Sequence, residues 1–383
     1  MDITRILNLP NLLHEKSFFL LGPRATGKSR LIRNTLPGAR VFDLLDSTVF
    51  DRLARRSKLL EEESSEQDLI VIDEVQKLPG ILDEVHRLIE KRNQRFLLTG
   101  SSARKLKRGG ANLLAGRARQ ANLFPLTWHE IASFKLDSFL AVGGLPGIHL
   151  SRSPWEDLKA YAGTYLREEI QSEAVVRRFD AFVRFLDIAA TKSGEEINYE
   201  SIASDCGVSG RTIRGYFEVL EDTLVGFLLP PFSQTVRRKA VTRSKFYLFD
   251  LGVTNVLLDH RTVYKNSPTY GNRFEQFIAL ELRAYLSYRR RDEKLMFWRS
   301  QSGFEVDFVV GTELAIEVKS TALVQERDLK GIRALQDEKL IRHHYVVSQD
   351  PSPRVVNGIT VLPWEEFLKQ LWDDKLLPLA GTN

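Results

Sequence analysis

Cysteine is almost missing from this chain: Cys206 is the one thiol in 383 residues. A lone thiol can form no intramolecular disulfide and no cysteine-based zinc site, so the chain reads as intracellular. The expected role of Cys206 is that of a small buried hydrophobe. No apolar run approaches the ~20 residues that a membrane-spanning helix needs. The start, Met1-Asp2-Ile3-Thr4, lacks the basic segment and apolar stretch of a secretion signal. The expectation is a soluble, cytoplasmic protein with no membrane partner. Internal repeats and long low-complexity tracts are absent too, which leaves a conventional globular chain.

What is present is material for several cores. Hydrophobic residues make up 43% of the chain and charged residues 27%, and the length suits two or three domains. The net charge of +5 is a mild basic bias, compatible with nucleic-acid binding without requiring it.

The most informative stretch follows the apolar run Phe18-Phe19-Leu20-Leu21. It reads Gly22-Pro23-Arg24-Ala25-Thr26-Gly27-Lys28-Ser29 and passes into Arg30-Leu31-Ile32-Arg33, the first turn of a helix. Strand, G-x-x-x-x-G-K-S loop and helix form a phosphate cradle: the glycines let backbone N–H groups converge on phosphate oxygens. Lys28 reaches the terminal phosphates and the Ser29 hydroxyl suits Mg²⁺. Residues Gly22 to Arg30 are therefore the expected ATP-binding set.

Such a loop needs acids nearby, and Asp68-Leu69-Ile70-Val71-Ile72-Asp73-Glu74 supplies them. The spacing predicts a buried parallel strand beside the P-loop strand, with Asp73 directed at Mg²⁺ and Glu74 at the attacking water. A further apolar strand ends in Thr99-Gly100-Ser101-Ser102, where Thr99 or Ser101 can sense the γ-phosphate. Candidate strands also cover 39–44 and 121–126, with helices near 48–63 and 81–91. Alternation of apolar strands with helices predicts an α/β, three-layer, parallel-sheet core. Gly109 to Gln120 ends in Arg117 and Arg119, which fall just before the last strand.

These motifs, with Ile72-Asp73-Glu74-Val75-Gln76 and Leu114-Ala115-Gly116-Arg117, resemble bacterial and archaeal AAA+-type ATPases that carry a C-terminal domain of unassigned function. The resemblance runs from about residue 15 to about 370. It implies ATP binding and hydrolysis, an arginine finger at Arg117 that enters a neighbouring subunit's site, and homo-oligomers such as hexameric rings.

Beyond Gly143-Gly144-Leu145-Pro146-Gly147 the pattern turns helical from Trp155 to Thr191, which suits a lid over the nucleotide. Two helices, 199–205 and 210–223, flank the turn Cys206-Gly207-Val208-Ser209 as a helix-turn-helix. Strand candidates 225–229 and 246–249 enclose the basic run Arg237-Arg238-Lys239-Ala240-Val241-Thr242-Arg243-Ser244-Lys245. The whole predicts a winged helix whose wing, with Arg211 and Arg214, contacts DNA phosphates.

The last segment carries a second constellation. Glu275 lies on a helix, Glu305 and Asp307 on the strand 303–310, and Glu317 and Lys319 on the strand 314–320. Pairing across the turn at 311–313 brings Asp307 beside Glu317. Together the carboxylates suit a hard divalent ion, Mg²⁺ or Mn²⁺, and Lys319 suits a water activated for attack on phosphate. This arrangement is similar to the restriction-endonuclease-like fold, whose acid, acid-x-lysine and helical glutamate fall on Asp307, Glu317-Val318-Lys319 and Glu275. One departure is Val306, where a proline often precedes the first acid.

The expected organisation is thus an ATPase core over 1–135, a helical lid over 136–191, a winged helix over 192–254 and a nuclease-like α/β domain over 255–383. The matching function is an ATPase acting on DNA that the C-terminal domain cuts or grips. A nucleotide-switched DNA-binding or regulatory ATPase without nuclease activity is the rival, and a protein-remodelling ATPase is a third reading.

Overall fold

The computed structural model describes residues 3–102, 114–166 and 179–378. The stretch 109–113 before Arg117, and 167–178 of the expected lid, lie outside the described residues.

Five parallel strands form the N-terminal sheet: β1 Ser17–Leu21, β2 Arg40–Asp43, β3 Leu69–Asp73, β4 Arg95–Gly100 and β5 Ala118–Asn122. Their spatial order is β2-β3-β4-β1-β5. The central strands are buried along nearly their whole length, as parallel strands covered by helices on both faces must be. Two expectations need correction here. The Asp73 strand does not lie beside the P-loop strand, because β4 pairs with both and separates them. The last strand spans 118–122 rather than 121–126. Its residues pair with β1 as an edge, while Leu123 and Phe124 run on into buried loop packing.

The middle of the chain is helical. Asn198 caps the helix Tyr199–Cys206 through its side chain, and Ser209 caps Gly210–Asp222 by accepting a bond from the Thr212 N–H at 3.2 Å. Gly207 turns the chain between them at φ +66°, a left-handed conformation that glycine adopts without strain. Cys206 is buried as expected. β6 Gly226–Leu229 and β7 Lys245–Leu248 then form an antiparallel pair. A single hydrophobic cluster joins Leu145, Leu158 and Phe185 to Phe217, Phe246 and Val253, so one core runs across position 192.

The C-terminal part opens with the long helix Pro268–Tyr288. Six strands follow in the order β12-β13-β11-β10-β9-β8, namely β8 Leu295–Arg299, β9 Glu305–Val310, β10 Leu314–Val318, β11 His343–Ser348, β12 Arg354–Val356 and β13 Ile359–Pro363. β8, β9 and β10 are antiparallel, and β11 returns parallel to β10 after the helix Lys330–Gln336. Gln325 caps the short turn before that helix.

Part of the basic run is tied down within the chain, while Arg237 and Lys239 are exposed. The segment after β6 crosses to the C-terminal sheet, where Phe232 N–H donates to the Phe297 carbonyl at 2.6 Å and Val241 N–H to the Arg299 carbonyl at 2.9 Å. The N–H groups of Val236, Arg237 and Arg238 all donate to the Glu338 carboxylate at 3.1 Å, and Arg238 also pairs with Asp337 at 3.1 Å. Arg214 lies over the Tyr199 ring at 4.8 Å. Intramolecular acids and rings therefore occupy Arg238 and Arg214, two of the groups expected to contact DNA.

Glu281 of the long helix accepts bonds from Trp128 N–H at 2.7 Å and Trp372 Nε1 at 2.9 Å, and burial pushes its carboxyl up to about 8. An unfolded glutamate ionises near 4.5, so between those values the unfolded chain has released a proton that the folded chain keeps. Rising pH therefore favours unfolding. Buried Asp250, pushed up to about 6, acts in the same direction. We expect the thermal midpoint to fall between pH 5 and 8, and Glu281→Gln to flatten part of that fall, as read by calorimetry across pH.

Candidate nucleotide site and a second acidic cluster

β1 delivers the loop at the C-terminal edge of the sheet, and the helix Lys28–Thr35 receives it. Gly27 stands at φ +93°, and a side chain at Gly22 would collide with the Leu123 carbonyl. Both positions require glycine for the loop to fold back on itself. The N-cap position of the helix is Gly27, which has no side chain to cap it, and a helix N-terminus favours an anion. The buried Lys28 ammonium donates to the carbonyls of Gly22 at 2.7 Å and Pro23 at 3.2 Å. These partners lie inside the cradle that phosphate oxygens would fill.

The sheet order brings three expected residues into one chain of hydrogen bonds. Ser29 Oγ donates to Asp73 Oδ2 at 2.8 Å, and Thr99 Oγ1 donates to Asp73 Oδ1. Thr99 in turn accepts from Glu74 N–H at 3.2 Å. Because β4 lies between β1 and β3, Thr99 braces both acids from the middle strand. Glu74 itself adopts φ +59°, a costly conformation for a residue with a Cβ and a recurrent one at functional sites. Burial pushes the Glu74 carboxyl up from its ordinary value, while Lys28 and Arg24 pull it back. Gln76 donates to Glu74 Oε2 and to Ser101 Oγ at 3.3 Å.

Mg²⁺ fits this oxygen set: a hydroxyl and a carboxylate already 2.8 Å apart beside a phosphate cradle are the donors that a small hard cation accepts. A cavity of 240 Å³ adjoins Gly27, with Ile3, Leu31, Leu126, Pro146 and Leu150 among its walls. It is apolar enough to take a nucleobase. Sequence reasoning missed it, because its walls come from four separate stretches of chain.

Arg5 was missed too. Its guanidinium donates to the Thr26 carbonyl at 2.7 Å, the Phe124 carbonyl at 2.7 Å and Glu130 at 2.9 Å. It also donates to the Tyr288 hydroxyl at 3.3 Å, so one side chain ties the P-loop to the long C-terminal helix. Arg117 precedes β5 at the edge of the sheet opposite the P-loop, a strand length of ~16 Å away. It pairs with Glu90 of the same chain. Arg117 cannot serve its own nucleotide site.

The second cluster assembles where β9 meets β10. Register extends from Ile316 opposite Phe308, which sets Glu317 opposite Asp307. Both carboxylates are buried. Asp307 Oδ2 accepts from Val318 N–H at 2.8 Å, and Lys319 donates to Glu317 Oε1. Burial pushes both carboxyls up, with mutual repulsion adding to it at Glu317.

Lys245 of β7, expected at the end of the basic wing, enters this cluster instead: its ammonium lies 2.6 Å from Glu305, 3.4 Å from Glu275 and 3.9 Å from Asp307. Burial opposes its charge, yet Glu275, Asp307 and Glu305 together hold its pKa above the ordinary lysine value. Among the described residues, no three His, Cys, Asp or Glu side chains are arranged to hold a metal ion. The expected set Glu275, Asp307 and Glu317 gathers beside Lys245 and Lys319, and Glu317 Oε2 is buried without a hydrogen-bond partner.

Three family models tile most of the chain. Residues 14–132 match an AAA domain, residues 133–263 a domain of unknown function, DUF8612, and residues 270–367 another, DUF4143. An uncharacterised protein of Mycobacterium tuberculosis is 28% identical over 388 residues, spanning 97% of this chain and 85% of its own length. One from Methanocaldococcus jannaschii is 26% identical over 309 residues, spanning 71% of this chain and 66% of its own. The Thermotoga maritima RuvB Holliday junction branch migration motor overlaps 56% of this chain and 82% of its own at 17% identity and a TM-score of 0.26, too loose a superposition to carry an argument. The part of the chain that carries the Gly22–Ser29 loop is thus similar to AAA-type ATPase domains.

Proposed function

We propose that this chain is an ATP-hydrolysing regulatory ATPase whose C-terminal α/β unit does not cleave nucleic acid. The carrying observation is the Ser29–Asp73–Thr99 hydrogen-bond chain beside Lys28 and Glu74. Lys28 would exchange the Gly22 and Pro23 carbonyls for β- and γ-phosphate oxygens as ATP enters. Ser29 and Asp73 would hold Mg²⁺, which offsets charge on the phosphates when bound. Glu74 would orient and deprotonate the attacking water. Burial raises its pKa, which makes it a stronger base, while Lys28 and Arg24 oppose that rise.

Arg117 would act in a second copy of the chain, since its position excludes its own site. Homo-oligomers, ring-shaped or otherwise, follow from that role. Arg238 and Arg214, occupied within the chain, support a regulatory reading over DNA handling. A second reading keeps a Mg²⁺- or Mn²⁺-dependent nuclease. It is favoured by one observation: a helix, three antiparallel strands, a helix and a parallel strand carry Glu275, Asp307, Glu317 and Lys319 in the order of the restriction-endonuclease-like fold.

Glu74→Gln is expected to bind ATP with near-normal affinity and to hydrolyse it about 10²–10⁴-fold more slowly, measured by phosphate release and nucleotide titration. Unchanged turnover would sink the assignment. Arg117→Ala is expected to lower turnover by about 10³-fold or more without weakening ATP binding. Adding an excess of a Lys28→Ala chain, which keeps its own Arg117, should partly restore it. For the C-terminal unit, DNA incubated with Mg²⁺ or Mn²⁺ should stay intact; cleavage lost in Asp307→Asn would establish the nuclease reading.

A further inference from the structure

We infer that Lys245 is the resident cation of the Asp307 cluster, so that these carboxylates latch the β6–β7 hairpin to the C-terminal sheet and take up no divalent metal. The inference rests on the regulatory reading and gives the acidic cluster a role within it.

Three observations carry it. The ammonium sits among Glu305, Glu275 and Asp307 at 2.6, 3.4 and 3.9 Å. A Mg²⁺ or Mn²⁺ ion bound to the same oxygens would need them at about 2.0–2.6 Å, which leaves no room for both cations. Tyr247, two residues on and therefore on the same face of β7, donates to Glu275 Oε1 at 2.6 Å. The hairpin thus sends two consecutive inward side chains to one cluster and fixes the glutamate that a metal would need to recruit.

Two further oxygens are engaged, while Glu317 Oε2 is buried without a hydrogen-bond partner. Asp307 Oδ2 accepts from Val318 N–H and Glu317 Oε1 from Lys319.

Lys245 has little freedom to withdraw. Between it and Tyr247, Phe246 points to the opposite face and packs on Phe217 with ring centroids 4.9 Å apart. Gly194 N–H donates to the Phe246 carbonyl at 2.7 Å and Phe246 N–H to the Glu195 carbonyl at 3.1 Å. Moving the strand that carries the ammonium means dismantling β7 and part of the middle core. That arrangement describes a standing latch, not a gate. The groove outside it, about 600 Å³, presents Glu195, Glu196, Glu275 and Glu305 against Lys245 and Arg299. A mostly acidic wall repels a phosphate backbone.

The test uses the full chain carrying Asp73→Asn, which removes the metal acid of the P-loop, without nucleotide. Mn²⁺ binding is read by electron paramagnetic resonance and unfolding temperature by calorimetry. With Lys245 present, Mn²⁺ uptake should be the same whether or not Asp307→Asn is added. Lys245→Met should lower the unfolding temperature by about 5 °C or more, because it leaves buried carboxylates without their cation. Millimolar Mn²⁺ should restore part of that loss, and Asp307→Asn should abolish the restoration. Lys245→Arg, which keeps the charge, should lose less stability than Lys245→Met.

Asp307-dependent Mn²⁺ uptake with Lys245 in place would overturn the inference, and so would a Lys245→Met chain that unfolds at the unsubstituted temperature. If Lys245→Met does not fold, the comparison with and without Asp307→Asn decides alone. Metal uptake and DNA cleavage are separate readouts. Mn²⁺ bound without cleavage would remove the latch and leave the regulatory reading standing.

Discussion

Burial of the Pro268–Tyr288 helix is the constraint on which the rest of the molecule depends. Twelve of its side chains are buried, more than a helix with one exposed face can hide. Its apolar residues share a core with Phe139 and Tyr247 from the middle of the chain and with Phe308, Ile316 and Phe367 from the C-terminal sheet. Polar residues placed so deep need partners, and each one makes a cross-link. Arg273 donates to Asn255 at 2.6 Å, and Gln276 to the Leu248 carbonyl at 3.0 Å and Thr254 at 2.9 Å. Glu281 joins Trp128 to Trp372. At the last turn Tyr288 meets Arg5, which grips the P-loop carbonyl of Thr26.

That helix sets the mechanical relation between the two chemical clusters. Glu275, near its start, belongs to the acidic cluster, and Tyr288, at its end, touches the nucleotide loop through Arg5. A rigid element with one end at each site is a ready path for coupling, because helices transmit displacement along their axis more readily than loops do. A nucleotide that shifts Thr26 acts on Arg5 first. The middle module is held near the start of the same helix, through Lys245 and Tyr247 on Glu275 and through Arg273 and Gln276.

The two clusters also show how one ingredient, buried carboxylate, comes to different ends. Asp73 and Glu74 lie at the open edge of a parallel sheet, against a glycine-bearing loop and a lysine that donates to the loop's own carbonyls. Charge arriving there is welcome. Asp307, Glu317, Glu275 and Glu305 lie where two modules press together, and lysines from within the chain already answer their charge. The first arrangement is poised for a ligand, and in the second Lys245 and Lys319 stand against the carboxylates.

The sequence by itself determined what is local. A contiguous G-x-x-x-x-G-K-S between a strand and a helix must make the cradle, and acids that follow an apolar run must emerge at a strand end; both stand where they were expected. The helix caps Asn198 and Ser209 and the pairing of β9 with β10 are local in the same sense, since each depends on neighbours a few residues away. Only the tertiary structure decided the rest. It inserted β4 between the strands of Lys28 and Asp73, turned Arg238 onto Asp337 and Glu338, and brought Lys245 into the carboxylates of a domain that begins well after it. These outcomes depend on which charge meets which across long stretches of chain. A buried charge is stable only beside its partner, and no local pattern names a partner that folding alone brings near.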